Sequence, residues 1–358
     1  MKRITATPKY LALDVHKATC TYTVRDAAGP VLERGVVETC AYHLVGLVQR
    51  WGPNVHVVFE EGTQAQWLHD MLLPHCAKLV VCDPRAIRAK LANKSDRIDP
   101  DILSERLRLG SLRPVFHAVH SMRGLKELVR AYTALVVDAT RVMLRIKAIY
   151  RSRGIGTEGA GVYRPALRRE WLAKIPEPAA RRRAELFLAQ LDGLSVLRKK
   201  AKAAMIVEAR KHPVFHLLQS FPRIGPIRTA ELLAIIGSPF RFRTKRQLWP
   251  YAGLAVVRQS SGDHVVVNGQ IRRRTRPPLT RGLNRNANYT LKKVFKAIAV
   301  DLSHSDTPLG ESYRARIARG MREEMARLTL ARTVAAILLA MWKKGVPYDP
   351  TRLTLTTT

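Results

Sequence analysis

Apolar positions along the chain change period twice, and each change marks a different kind of element. The first third is built of short β-rich runs: Tyr10–Asp14, Cys20–Asp26 and Val31–Thr39, the last two joined by the turn-forming Asp26-Ala-Ala-Gly29. A helical stretch near Ala41–Trp51 follows, then a strand Val55–Glu60, a helix Ala65–Leu73 and a strand Lys78–Asp83. The segment Ile98–Leu109 reads as a last helix with Ile102, Leu103 and Leu107 on its apolar side. The order βββαβαβα is a three-strand meander followed by crossover units, which predicts an α/β domain.

From Leu125 the period lengthens. Leu125, Leu128, Tyr132, Leu135, Ala139, Val142, Ile146 and Ile149 recur at alternating steps of three and four, a coiled-coil seam, with Arg130, Arg141, Arg145 and Lys147 off it. Residues 151–180 hold Gly154, Gly156, Gly159, Gly161, Pro165, Pro176 and Pro178 and read as a loop. A second helical run over Ala179–His212 puts Phe187, Leu191, Leu194, Ala201 and Met205 on one side. Together the two runs predict a long helical hairpin, either a plain brace or an arm for dimerisation or nucleic acid. Arg181-Arg182-Arg183 and Arg198-Lys199-Lys200 suit phosphates or simple solvation.

The remainder is mostly helical. Residues 217–254 read as helix, turn and helix, and the turn Pro222-Arg-Ile-Gly225 resembles a helix-hairpin-helix element. Such a turn holds a phosphate on backbone N–H groups, and Arg223 can reach one with its side chain; the plain alternative is a structural αα-hairpin. Ala255–Gln259 and His264–Val267, joined by Ser260-Ser261-Gly262-Asp263, carry a β-hairpin signal in which the serines are turn formers. The final helices are expected near Tyr313–Arg327 and Thr329–Lys344. These shifts place domain boundaries at 1–116, 117–212 and 213–358.

Composition narrows the function. The chain has 358 residues with 62 Lys or Arg against 28 Asp or Glu, a net charge of +34, which suits a polyanionic partner rather than a small metabolite. The excess is uneven: +4 over residues 1–116, +14 over 117–240, +13 over 241–300 and +3 over 301–358. No stretch approaches the 18 apolar residues of a membrane span, and the start lacks a signal peptide's apolar region. A cytoplasmic protein without a membrane partner is expected. The four cysteines form no CxxC pair and read as buried thiols rather than metal ligands with His75.

The acidic residues fall at strand and helix ends. Asp14 ends the first strand, Glu60 and Glu61 the fourth, and Asp96 and Asp99 enter the last helix of the domain three residues apart. A two-metal phosphoryl-transfer site needs several hard oxygen ligands, and such ends can bring them together. Singly, each acid also reads as a cap or turn residue.

ALDVHK (12–17), FEEGT (59–63) and NKSDRID (93–99) are similar to the motifs of DEDD-type insertion-sequence transposases, the "one-ten" group of bacterial insertion sequences. The resemblance implies an RNase H-like (RuvC-like) mixed-sheet domain with Asp14, Glu60, Asp96 and Asp99 as ligands to Mg²⁺, or to Mn²⁺ in its place. Glu61 rivals Glu60, and Asp101 is a weaker candidate. VRQSSG sets Ser261, with Ser260 as its competitor, where the family has a proposed serine nucleophile. Arg223, Arg258, Arg272, Arg273, Arg274 and Arg276 are the candidate nucleic-acid contacts. The implied activity is cutting and rejoining of donor and target DNA through a serine–phosphodiester link. A guide RNA and a dimeric or tetrameric assembly come with it. Arg223 stands where the family usually has glycine, and Asn286 and Asn288 lie where glycine is common. The rival readings are a hydrolytic RuvC-like nuclease or junction resolvase, and a non-catalytic nucleic-acid-binding protein.

Overall fold

The computed structural model describes residues 7–83, 98–117, 122–259, 264–273 and 279–352. The chain divides into two compact units, residues 1–117 and 118–358.

The first unit is a five-stranded mixed sheet in the order β3-β2-β1-β4-β5. Strands β1 (Lys9–Val15), β2 (Thr19–Arg25) and β3 (Val31–Glu38) form an antiparallel meander, and β4 (Val55–Glu60) and β5 (Lys78–Cys82) add in parallel to β1. Strand alternation sorts the side chains by face. Leu11, Leu13, Val57 and Phe59 meet Leu44, Leu47 and Val48 of α1 (Ala41–Arg50) and Leu68 and Leu72 of α2 (Ala65–Leu72). Ala12, Val58, Val80 and Cys82 meet Leu103 and Leu107 of α3 (Ile98–Arg108) on the other face. At the β3 edge, a Cβ on Gly35 would fall 2.5 Å from the Tyr22 hydroxyl, so only glycine lets that ring cross and bond Glu33.

The second unit opens with α4 (Arg123–Arg151), which packs along α6 (Pro178–Arg210). Of the expected seam, Leu125, Ala139, Val142, Ile146 and Ile149 are buried. They are divided between two cores rather than joined in one. At the base Leu125 and Val129 join Met205, Ala209 and the C-terminal helices. At the tip Val142, Ile146, Ile149 and Tyr150 pack with Val162, Ile175, Ala184 and Leu188. The loop expected over 151–180 also holds a short helix, α5 (Arg168–Ala173), because Trp171 and Leu172 have this tip core to pack against.

Helices α7 (Pro213–Gln219), α8 (Pro226–Ile236), α9 (Lys245–Tyr251), α10 (Tyr289–Ser303), α11 (Pro308–Ala318) and α12 (Glu323–Lys344) share the base core. Helix α12 is long and apolar enough to cross a membrane, but it buries Leu330, Val334 and Leu338 in that core. The final helix break falls at Arg319–Arg322, not at residue 328, because Gly320 turns the chain at φ 85°.

The expected β-hairpin is drawn differently. Strand β6 (Val256–Gln259) pairs with the distant β9 (Leu279–Leu283), and β7 (His264–Val267) pairs with β8 (Gln270–Arg273). The β7–β8 turn is Asn268-Gly269 at φ 51° and 75°, the positive pair that a tight two-residue hairpin requires.

Candidate active site

Strands β1 and β4 are parallel neighbours whose register sets Leu13 beside Phe59. Asp14 and Glu60 come next on each strand, so both side chains leave on the face of Ala12 and Val58. That is the face covered by α3. Asp101 accepts from Thr23 Oγ1 at 2.7 Å, while Arg25 donates to Ser104 Oγ at 3.3 Å. Thr23 lies opposite Ala12 and Arg25 opposite Tyr10, so α3 runs antiparallel to β1. Its first turn, which contains Asp99, therefore points toward the strand ends that carry Asp14 and Glu60.

Asp14 is largely covered, with 22% of its side chain exposed, and its Oδ2 lies 3.3 Å from His16 Nε2. The thiols of Cys20 and Cys82 are both pushed up to about 12, first by burial and then by the charges of Asp14 and Glu60 respectively. Cys82 shares the Ala12–Val58 face with Glu60, whereas Cys20 lies in the core of the other face. Carboxylates alone suit a hard Mg²⁺-class ion. Asp96 lies outside the described residues. Among the described residues, the trio of metal-type donors whose ligand atoms all lie within 4.8 Å of one another is instead Glu38, Cys40 and His43.

The rival acids have other partners. Glu61 accepts from His117 Nε2 at 2.9 Å, and His117 in turn contacts Gln66 at 3.2 Å and stacks on His69. Asp101 is gripped by Arg34 as well as Thr23, with an Arg34 Nη2 contact of 2.7 Å. Burial alone would raise the Asp101 carboxyl, but Arg34, Thr23 and Arg25 outweigh it and hold it below the usual range. His16 and His117 touch the candidate acids yet were not singled out from the sequence. The i+2 spacing of Asp14 and His16 was a visible signal for the first; the second is far from Glu61 in sequence and had none.

In the second unit, Ser260 and Ser261 lie outside the described residues, as do Arg274 and Arg276 and the side chains of Arg258 and Arg273. The flanking strands show that residues 260–263 join two separate two-stranded sheets. Arg272 is exposed on β8, its Nη2 3.3 Å from Gln270 Oε1. Arg223 is exposed in the turn between α7 and α8 at φ 61°, the left-handed conformation that its glycine counterpart would adopt freely.

Residues 11–152 match a transposase model of the DEDD, IS110 type, and residues 215–306 match the model described as Transposase IS116/IS110/IS902 family. A relative from Streptomyces coelicolor, named "Insertion element IS110 uncharacterized 43.6 kDa protein", is 30% identical over 150 residues. That match covers 42% of this chain and 33% of the relative. The first matched segment contains Asp14, Glu60, Asp96 and Asp99, and the second contains Arg223, Ser261 and the basic run after it.

Proposed function

This chain belongs to the IS116/IS110/IS902 family of transposases, and we propose that it cuts and rejoins DNA through a serine-linked intermediate beside a carboxylate-bound divalent ion. The observation that carries the reading is the placement of Asp14 and Glu60 on adjoining strand ends, on the sheet face met by the first turn of α3 with Asp99. In this reading residues 1–116 are an RNase H-like domain whose ligands are Asp14, Glu60, Asp96 and Asp99. Glu60 is preferred over Glu61 because His117 already engages the latter. These carboxylates would hold a Mg²⁺-class ion, which would supply positive charge to the scissile phosphate.

Ser261 Oγ forms the new bond to phosphorus and loses its proton, while the bond from phosphorus to one sugar oxygen breaks and that oxygen takes up a proton. Attack by a hydroxyl of another strand reverses the step, so rejoining needs no external energy source. A serine hydroxyl is a weak nucleophile and needs dense positive charge or a base nearby. Arg258, Arg272, Arg273, Arg274 and Arg276 are assigned to that charge, and Arg223 to a backbone phosphate. Residues 117–212 act as the helical arm and 213–358 as the serine-bearing domain. Because serine and acids belong to different units, we assign the working form to an oligomer that holds donor and target DNA, directed by a guide RNA that the basic second half accommodates.

The test is a denaturing gel for protein–DNA adducts formed on nicked substrate with Mg²⁺ and the element's own RNA. Adduct lost in Ser261→Ala and kept in Ser260→Ala is the expected result. Undiminished strand cleavage in Ser261→Ala would overturn the serine step and leave a hydrolytic nuclease. Cleavage that survives Asp14→Asn would remove the assigned metal site.

A further inference from the structure

The sheet end that carries the carboxylates also carries a second donor group of different chemistry. We propose that Glu38, Cys40 and His43 form a binding site for one zinc-class divalent ion, separate from the carboxylate site. Glu38 closes β3, Cys40 is the residue capping α1, and His43 lies in the first turn of that helix. His43 Nδ1 is 3.2 Å from Cys40 Sγ and 3.3 Å from a Glu38 carboxylate oxygen, and all three ligand atoms fall within 4.8 Å of one another. A tetrahedral ion with bonds of roughly 2.0–2.3 Å has ligand-to-ligand edges of about 3.3–3.8 Å, so small shifts close the trio around it. One ring nitrogen cannot satisfy a thiol and a carboxylate at once, whereas a cation between them satisfies all three.

The backbone already holds this corner in shape. Thr39 N donates to Ala18 O at 2.9 Å, Thr39 Oγ1 donates to His16 O at 3.0 Å, and Cys40 N donates to Glu38 O at 2.9 Å. Glu38 and His43 are exposed, which gives an ion a way in and leaves its fourth position to water. The donor set decides the metal: thiolate with imidazole selects Zn²⁺, Co²⁺ or Cd²⁺, and oxygen-only sites select Mg²⁺. Strand β3 is parallel to β1 through their common antiparallel neighbour β2, so the trio shares the Asp14 end of the sheet, two strands and about 10 Å away. Because the Cys40 thiol gives up its proton on binding, an ion here adds one net positive charge near the rim of the carboxylate site.

The test is titration of reduced, metal-free full-length protein with Co²⁺, followed by displacement with Zn²⁺. The expected result is a thiolate-to-metal charge-transfer band that saturates at one ion per chain, is lost in Cys40→Ser, and persists in Asp14→Asn. His43→Ala should weaken binding by at least about tenfold, the scale on which even supporting groups of metal sites act. The other thiols are poor alternatives: burial pushes Cys76 up to about 11 and, with nearby acids, Cys20 and Cys82 up to about 12. Absence of the band, its survival in a folded Cys40→Ser variant, its loss in Cys76→Ser alone, or its displacement by Mg²⁺ overturns the proposal.

Discussion

Arg223 turns the chain between α7 and α8 at φ 61°, where a side chain crowds its own backbone and glycine does not. Its carbonyl accepts from Arg228, which is itself paired with Asp301 at 2.6 Å, so the turn is held from outside. Arg223→Gly should therefore raise stability by about 0.5–1 kcal/mol, measured by urea unfolding. If the guanidinium meets a phosphate, the same change weakens DNA binding and lowers the salt slope by about one. Stability and affinity moving together would refute that trade. Gly310 is the opposite case: an added Cβ would sit 2.1 Å from the Ser305 carbonyl, and Gly310→Ala should cost about 2 kcal/mol or more. Glu231 of α8 tests burial. Desolvation pushes its carboxyl above the usual range, and Lys293 and Arg228 only partly counter this. The folded chain thus holds that proton more tightly than the unfolded chain, and stability falls as pH rises through the ordinary glutamate value of about 4.3 toward the raised one. Glu231→Gln should be the more stable protein at neutral pH, with the gap closing below about pH 4 in unfolding curves taken across pH.

At the scale of elements, the helical arm has two cores with a poorly covered stretch between, where Leu135 is half-buried and Val137 and Val196 are exposed. Ile146 is fully buried at the tip. Ile146→Ala should cost about 2–4 kcal/mol there and speed hydrogen exchange over residues 142–188 while amides near Leu125 and Met205 stay protected. Uniform loss of protection would mean one continuous core. The alternating heptad steps predicted the helices but not this division, since a seam says which residues are apolar and not which neighbours reach them. The strands of the first unit were legible because each is a short β-rich run bounded by turn or helix signals, and Asp14 and Glu60 were legible as strand ends. The β6–β7 hairpin was misread because Ser-Ser-Gly-Asp and Asn268-Gly269 are both turn signals, and β6 takes its partner from β9, beyond β8 in the chain. The Glu38–Cys40–His43 trio has no familiar ligand spacing; only the strand-to-helix corner gathers it.

Across the whole molecule, charge is divided as the fold is. Residues 1–117 carry +4 and residues 118–358 carry +30. Among the described residues of the first unit, Lys9 pairs with Asp26, Arg25 and Arg108 with Glu105, Arg34 with Asp101 and Arg50 with Glu33. The second unit by contrast presents Arg243, Lys245 and Arg246 exposed on one short stretch. Binding to duplex DNA releases roughly 0.9 counterion per phosphate neutralised, so the salt slope counts the contacts. Replacing Arg243 and Arg246 by Gln should lower the slope of log affinity against log salt by about two. Replacing Lys78 and Arg113, exposed in the first unit, should change it by less than about half a unit. Net charge falls equally in both variants, so total charge alone predicts equal slopes. A larger effect from the first pair locates the DNA grip in the second unit, and equal effects would return the +34 to a general, unplaced attraction.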